Sequence, residues 1–449
     1  MTPGSEDLWF LPLGGCGEIG MNMNLYGHDG HWLMVDCGVT FASPEAGGPV
    51  VQMADPGFIT QRRDQLLGLI VTHAHEDHIG AVAHLWPQLR CPVFVTPFAA
   101  AILRRKLVEA GLVDQVPVHV VALDHRHTLG GFDIEWVPLT HSTPESQALV
   151  IRTAVGTLFH TGDWKIDDDP VIGSPFHPKM LARLGQQKIL AMICDSTNAL
   201  DSGRSLSEGT LYEGLRQLVA DAPGRVVVGC FGSNVARLQT LAKVAADTGR
   251  YAALLGRSLN TYYTAAREAG VWDEQYRFID SSDLGYLPAE EVLVIATGSQ
   301  GEAGAALGRL ASNRHPDLSL SAQDTLLLSS RVIPGNEVAI ALVESKLSSL
   351  GVRIVRDEEL NFPIHASGHP CAEELKDMYR WVQPACAIPV HGEPKHMQAH
   401  ASLAAEMAVP RQMTGNNGDL FVLKPQLELK LNFAPAGRLG LDQGQLVAI

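Results

Sequence analysis

Histidines and carboxylates crowd the run His73-Ala74-His75-Glu76-Asp77-His78. It directly follows Leu66-Leu67-Gly68-Leu69-Ile70-Val71-Thr72, an apolar stretch short enough to be a buried strand. Such a density of titratable groups suits a metal centre or an acid/base cluster. Imidazole nitrogens and carboxylate oxygens are good zinc ligands, and one loop can serve two zincs. A polar surface loop with chance histidines is the plain alternative, and it would hold for a lone histidine. Ligand types further along the chain count against it. His141 follows the strand-like Ile134 to Thr140, Asp163 follows Gly156 to Phe159 within His160-Thr161-Gly162-Asp163, and His391 follows Ala387 to Val390. Each sits just past a short apolar run, where an α/β scaffold presents chemistry on loops. His73, His75, Asp77, His78, His141, Asp163 and His391 make seven ligands, about right for two zincs that keep open positions for water and substrate. Manganese can replace zinc in a His/carboxylate site of this kind.

Short strands must carry these loops. Residues 1–200 read as short strands with few helices, the clearest helix being 99–110, ended by Gly111. From about 205 the pattern changes. Residues 225–230, 251–255, 292–296 and 325–329 read as strands, each followed by a helical segment at 234–247, 260–269, 303–311 and 337–350. That alternation implies a parallel sheet covered on both faces. His391 lies beyond this block, so the block is an insertion into the metal domain. The expected division is 1–204 for the first part of the metal domain, 205–355 for the insertion and 356–449 for its completion.

Gly15-Cys16-Gly17-Glu18-Ile19-Gly20 matches the dinucleotide-binding pattern G-x-G-x-x-G after a strand-like Leu8 to Leu13, with Asp36 downstream. That fingerprint needs a helix to open at the glycines. Met21-Asn22-Met23-Asn24 and Asp29-Gly30 signal strands and a hairpin turn instead. Strands and a hairpin turn are therefore expected, and the segment resembles the first β-hairpin of a metallo-hydrolase fold, whose glycines let backbone pass close to the metals.

Length allows about three domains, and 46% hydrophobic residues allow a sizeable core. No segment approaches the ~20 apolar residues of a membrane helix. The start, Met1-Thr2-Pro3-Gly4-Ser5-Glu6-Asp7, lacks a secretory pattern. Seven cysteines without a C-x-x-C pair argue against a disulfide framework. A reduced, cytoplasmic protein with no membrane association is expected. The net charge of −15 weighs against a broad basic face for nucleic acid. A local basic groove and two metal cations can still coexist with an acidic exterior.

The ligand string resembles the metallo-β-lactamase superfamily, and the insertion resembles its β-CASP branch, whose members act on nucleic acids. The resemblance implies an α/β protein: an αββα metallo-β-lactamase sandwich with an inserted β-CASP parallel α/β domain. It assigns His73, His75 and His141 to one zinc, Asp77, His78 and His391 to the other, and Asp163 as the bridge. Asp36 matches a structural aspartate, and Glu76 falls outside the ligand set. Asp195, in Met192-Ile193-Cys194-Asp195-Ser196-Thr197-Asn198, fits the first β-CASP motif. His365, in Ile364-His365-Ala366-Ser367-Gly368-His369, fits the second, and His391 the third. Longer phrases are similar to those of the ribonuclease J family: Leu13 to Gly20, His141-Ser142-Thr143-Pro144-Glu145-Ser146, Thr297-Gly298-Ser299-Gln300-Gly301-Glu302 and Pro389-Val390-His391-Gly392-Glu393.

That family implies a zinc-dependent enzyme acting on single-stranded RNA, mainly as a 5′→3′ exonuclease preferring 5′-monophosphate ends, with endonuclease action as well. Asp77, Asp195 and His365 are the catalytic candidates. Water activated between the metals would attack a backbone phosphorus. His365 would stabilise the charge or protonate the departing 3′ oxygen, and Asp195 would orient His365 or a ligating imidazole. Asp-Ser-Thr-Asn is also a capping string, the plain reading of Asp195. The 5′-phosphate pocket is expected at Ser233, Asn234, His365, Ser367, Gly368 and His369. Ser233 and Asn234 could equally cap a helix.

Two departures stand out. The chain stops at Ile449, where members of the family continue into a further domain, so the implied homodimer is expected to be weaker here. Pro370 and Pro394 flank the second and third motifs, where a proline removes a backbone donor. Other signals read plainly: His125-Arg126-His127 as a solvated loop, Asp167-Asp168-Asp169 as a surface turn, Arg104-Arg105-Lys106 as an exposed helix face. Three rival functions stand against this one. A small-molecule metallo-hydrolase would not need the insertion, a DNA-acting β-CASP nuclease would cut 2′-deoxy substrates, and an inactive partner subunit would tend to lose ligands.

Overall fold

The computed structural model describes residues 2–42, 47–302, 304–333 and 335–449. Two sheets face each other. The first has eight strands, in the order Glu428–Lys430, Leu420–Lys424, Leu8–Gly14, Met23–His28, His31–Val35, Leu66–Ile70, Val93–Val95 and Val118–Val120. The second has seven, in the order Arg411–Gln412, Cys386–Val390, Ala191–Asp195, Gly156–His160, Gln147–Thr153, Phe132–Pro138 and Arg126–Leu129. Phe10, Tyr26, Ile70, Trp136, Ile151, Leu158, Ile193 and Ile388 fill the space between them. Helices cover the outer faces: Val82–Leu89 and Pro97–Glu109 on the first sheet, Pro178–Gly185, Ala372–Val382 and Pro394–Glu406 on the second. The result is an αββα sandwich.

Sequence pattern explains the layering. Phe132, Ile134 and Trp136 alternate with half-buried polar residues, as a strand with one face on the core requires. Cys386–Val390 is buried at every position, as befits a central strand sandwiched between core and helices. It pairs in parallel with Ala191–Asp195, so Asp195 lies opposite Val390. Only a long excursion and return of the chain can produce that neighbour relation.

The excursion is the insertion. Its five-stranded sheet is wholly parallel, in the order Tyr251–Leu255, Val292–Ala296, Val226–Gly229, Thr325–Leu328 and Arg353–Arg356. Helices Val235–Asp247, Arg257–Glu268, Ala306–Ala311 and Glu337–Ser349 follow the insertion's first four strands in chain order. The fifth strand escaped the sequence reading because Arg353-Ile354-Val355-Arg356 offers only two apolar residues. The expected helix at 303–311 begins at Ala306, and Ala303 lies outside the described residues. Tyr262 docks the insertion on the sandwich: its ring stands 6.2 Å from Phe98, and its hydroxyl donates to the Ala74 carbonyl at 2.8 Å.

The glycine-rich segment is no helix start. Leu8–Gly14 and Met23–His28 pair antiparallel around it, as the hairpin reading required. Three expectations are corrected. Arg126–Leu129 is an edge strand, not a loop, and Arg126 pairs with Asp133 across it. Asp167 is no surface residue: it is buried against Lys165, at 2.9 Å, and accepts from the Glu208 amide. The helix around Arg104 starts at Pro97, whose fixed φ suits the first helical position. Pro394 likewise opens a helix, where a missing donor costs nothing. Among the described residues no helix is long and apolar enough to cross a membrane, and all seven cysteines are free thiols.

Candidate metal centre

All seven expected ligands converge at one end of the sandwich. His73 to His78 follow Leu66–Ile70, His141 follows Phe132–Pro138, Asp163 follows Gly156–His160, and His391 follows Cys386–Val390. The ligand atoms of His73, His75, His141 and Asp163 lie within 4.8 Å of one another. Those of Asp77, His78, Asp163 and His391 do the same. Asp163 belongs to both groups. Its Oδ2 stands 3.2 Å from His78 Nε2, 3.6 Å from His391 Nε2, 3.8 Å from His73 Nε2 and 3.9 Å from His141 Nε2.

Outer partners aim four of the rings. His78 Nδ1 donates to Asp36 Oδ2 at 2.7 Å, and His141 Nδ1 donates to the Gly368 carbonyl at 2.6 Å. His391 Nδ1 donates to Asn22 Oδ1 at 3.0 Å, and His73 Nδ1 lies 3.0 Å from the Thr72 hydroxyl. Each bond fixes a tautomer that leaves Nε2 as the inward lone pair, the usual arrangement of metal-ligating histidine. Burial holds His73 and His141 well below the ordinary imidazole pKa and brings His75 to about 4. Neutral imidazoles are what a metal requires. Nε2 of His73 is buried with no hydrogen-bond partner, 3.8 Å from Asp163 Oδ2, and His75 turns Nδ1 to within 3.0 Å of His141 Nε2. Such an orphaned lone pair is costly, and beside a carboxylate at this spacing it fits a metal ion. The donor set, imidazole plus carboxylate, suits zinc or manganese.

Asp36 sits at φ 63° and is fully buried, accepting from the Thr72 amide, the Thr72 hydroxyl and His78. Both of its oxygens are engaged by these donors, and neither ligand group includes it. Glu76 turns away to Lys106, at 2.6 and 2.7 Å. The Gly15 carbonyl accepts from the His391 amide at 2.6 Å, so the hairpin glycines do bring backbone to the centre.

Asp195 meets the capping reading and departs from the orienting one. Oδ1 caps the Thr197 amide and hydroxyl at 2.9 and 2.7 Å, while Oδ2 accepts from a histidine at 2.7 Å. That histidine is His369, not His365. The His369 ring also lies 5.1 Å from His141 and 5.7 Å from His391. Burial opposes its charge, but Asp195 and Asp163 outweigh burial and push its pKa up to about 9. His365 packs against Ser329 and Arg237 instead. Burial, and then the Arg237 guanidinium, lower its pKa to about 3, and its Nδ1 has no partner. The two histidines stand four residues apart in one motif, and the turn between them decides which one meets Asp195.

The other expected pocket residues divide. Ser367 Oγ accepts from Asn198 Nδ2 at 2.8 Å, which links it to the Asp195 loop. Asn234 caps helix Val235–Asp247, its Oδ1 accepting from the Arg237 amide at 2.9 Å. Ser233 is half-buried beside it. Gly368 is dictated by crowding: a Cβ there would lie 2.8 Å from both His141 Cε1 and Ser142 Oγ. Gly368→Ala is therefore expected to displace His141 and to lower metal occupancy or activity about 10- to 100-fold, read by elemental analysis beside the cleavage rate. Sequence reasoning missed Asn22 and Tyr262, which brace His391 and the Ala74 carbonyl. Each looks like an ordinary core polar residue until the fold brings it to the ligands.

Three family descriptions match the chain in order. "Beta-lactamase superfamily domain" covers residues 31–190, "Ribonuclease J, beta-CASP domain" covers 223–347, and "Zn-dependent metallo-hydrolase RNA specificity domain" covers 360–412. The fold is thus a metallo-β-lactamase domain with an inserted β-CASP domain. The chain is 43% identical to ribonuclease J of Sinorhizobium meliloti over 97% of its own length and 78% of the relative's. It is 36% identical to ribonuclease J of Mycobacterium tuberculosis over 98% and 78%, and 34% identical to that of Helicobacter pylori over 98% and 64%. A solved structure of a protein of unknown function from Enterococcus faecalis V583 superposes with a TM-score of 0.62 at 15% identity, covering 93% of this chain and all of that one, which speaks to the fold alone. Matched over 97–98% of its own length by relatives at 34–43% identity, this chain belongs to the ribonuclease J family.

Proposed function

We propose that the protein is a metal-dependent ribonuclease of the cytoplasm that hydrolyses single-stranded RNA, chiefly 5′→3′ from monophosphorylated ends. One observation carries the reading: a seven-ligand centre organised on Asp163, with the Asp195–His369 pair at its rim. His73, His75, His141 and Asp163 would hold one ion, and Asp77, His78, Asp163 and His391 a second. Such a pair, zinc or manganese, lowers the pKa of water and offsets charge on phosphoryl oxygens. We take 1–204 and 356–449 as the metal domain and 205–355 as the insertion.

The chain's own groups supply the rest. Asp195 fixes His369 through Nδ1, which leaves Nε2 free to protonate the departing 3′ oxygen. The His369 side chain is 21% exposed, against 0–3% for His73, His78, His141 and His391, so substrate can reach it. We therefore assign the acid role to His369 and keep His365 for the 5′-phosphate pocket with Ser233, Asn234, Ser367 and Gly368. A half-buried, neutral imidazole with an unpartnered Nδ1 can hydrogen-bond a phosphate without contributing a fixed charge.

The test is incubation of metal-characterised protein with single-stranded RNA bearing a labelled 5′-monophosphate. Early release of labelled mononucleotide, lost in His75→Ala, establishes the exonuclease. Internal fragments alone make it an endonuclease, and no cleavage with metals bound favours a non-RNA hydrolase. His369→Ala is expected to lower kcat on the order of 10²-fold or more with metals retained. His365→Ala should raise KM for 5′-monophosphate RNA and erode its advantage over 5′-triphosphate RNA. The reverse pattern would return the acid role to His365.

A further inference from the structure

Arg331 leaves the C-terminal end of strand Thr325–Leu328 and reaches across to Asp201 of the sandwich. Nη1 stands 2.5 Å from Asp201 Oδ2, and the side chains are 60% and 36% exposed. Both ends of this ion pair are tied to the proposed substrate pocket. The Asp201 amide bonds to the Asn198 carbonyl, and Asn198 Nδ2 donates to Ser367 Oγ at 2.8 Å and to the His369 carbonyl at 3.3 Å. Two residues before Arg331, the Ser329 hydroxyl donates to the Ile364 carbonyl, next to His365, at 2.5 Å. Arg331 thus bridges the two domains beside the loop that carries His365, Ser367 and His369.

Its backbone is fixed while its side chain is free to exchange. Gln300 Nε2 donates to the Arg331 carbonyl and Gln300 Oε1 accepts from the Ile333 amide, both at 2.9 Å. Gln300 is 7% exposed, so the clamp lies inside. The neighbouring cations are occupied in the interior: Lys165 by Asp167, and Arg237 by Glu208. An exposed ion pair contributes little net stability. A guanidinium fork binds phosphate oxygens as readily as a carboxylate.

We propose that Arg331 is a substrate-backbone contact: on RNA binding it exchanges the Asp201 carboxylate for a phosphate of the strand approaching the 364–369 loop. The inference rests on the ribonuclease reading. In a chain of net charge −15, an exposed cation parked on a carboxylate of the other domain offers local attraction without a broad basic face. The charge of Arg331 also reaches His365 and helps keep that imidazole neutral.

The two partners give opposite expectations, which a merely structural salt bridge would not. Binding of fluorescein-labelled single-stranded RNA to the full-length protein is measured by anisotropy in chelator and again with manganese, over a range of salt. Steady-state cleavage runs beside it. Arg331→Ala should weaken binding about tenfold, raise KM rather than lower kcat, and flatten the salt dependence by about 0.7 of a log unit per decade, one phosphate contact on a single strand. Arg331→Lys should recover part of the affinity. Asp201→Asn frees the guanidinium and should tighten binding, by about threefold at the modest strength of an exposed pair. Equal loss in Arg331→Ala and Asp201→Asn, or wild-type affinity and slope in Arg331→Ala, overturns the proposal while leaving the ribonuclease reading intact. Wild-type protein that neither binds nor cuts RNA overturns both.

Discussion

Asp163→Ala is expected to leave the protein folded, to lower its metal content from about two ions per chain to below one, and to reduce RNA cleavage by at least about 10³-fold. The geometry makes this residue the largest single lever. One carboxylate oxygen sits within 3.9 Å of ring nitrogens on His73, His78, His141, His391 and His369. Removing any one imidazole weakens one of the two ligand groups. Removing Asp163 takes a donor from both and leaves five histidines facing one another without the buried anion between them. Elemental analysis after dialysis gives the metal count, and labelled RNA gives the rate. Asp163→Asn separates charge from shape: it keeps the oxygen but not the anion, and should retain more metal than the alanine variant while staying nearly inactive. Full metal content and activity in Asp163→Ala would dismantle the proposed centre.

How much of this was legible in the sequence depends on how locally each feature is encoded. The His73 to His78 loop was legible because the ligands are contiguous and follow a buried strand. His141, Asp163 and His391 were legible because each ends a short apolar run, and strand ends are where this scaffold places loops. The parallel βα alternation made the insertion readable, and the position of His391 beyond it required the chain to return.

Pairings set by tertiary structure were not legible. His365 and His369 share one motif, and nothing in Ile364 to His369 says which ring turns to Asp195. The turn is set from outside: Asp357 Oδ1 accepts from the amides of Ile364 and His365, at 2.6 and 3.1 Å, while Gly368 passes against His141. Asp167 looked like part of a solvated acidic turn because its cation, Lys165, is hidden two residues earlier and folds back on it. Asn234 remained ambiguous for a sound reason. A side-chain oxygen that caps a helix and an amide that meets phosphate occupy the same place at a helix start, and one residue can do both.

The second large effect is expected outside the ligand set, at Arg237. This guanidinium is fully buried on helix Val235–Asp247. Nε and Nη2 donate to Glu208 at 2.5 and 3.1 Å, and Nη1 donates to the Ser329 carbonyl and hydroxyl and to the Ile364 carbonyl. Arg237→Met should destabilise the inserted domain by about 3–5 kcal/mol, because the 4%-exposed Glu208 then keeps its charge with no partner. Glu208→Met should cost about as much for the mirrored reason. The double variant, apolar at both positions, should recover most of the loss, since replacing a whole buried pair is close to neutral. Thermal melts of all four proteins form the cycle that isolates the coupling. Stability is only half of the expectation. Ser329 and Ile364 are held by Arg237, and Ile364 precedes His365, so the stable double variant should still bind 5′-monophosphate ends less well while cutting at a similar kcat. Restored stability together with an undiminished 5′-monophosphate preference would show the buried pair to be structural only. Restored stability with that preference lost would establish that the inserted domain sets the pocket from within its own core.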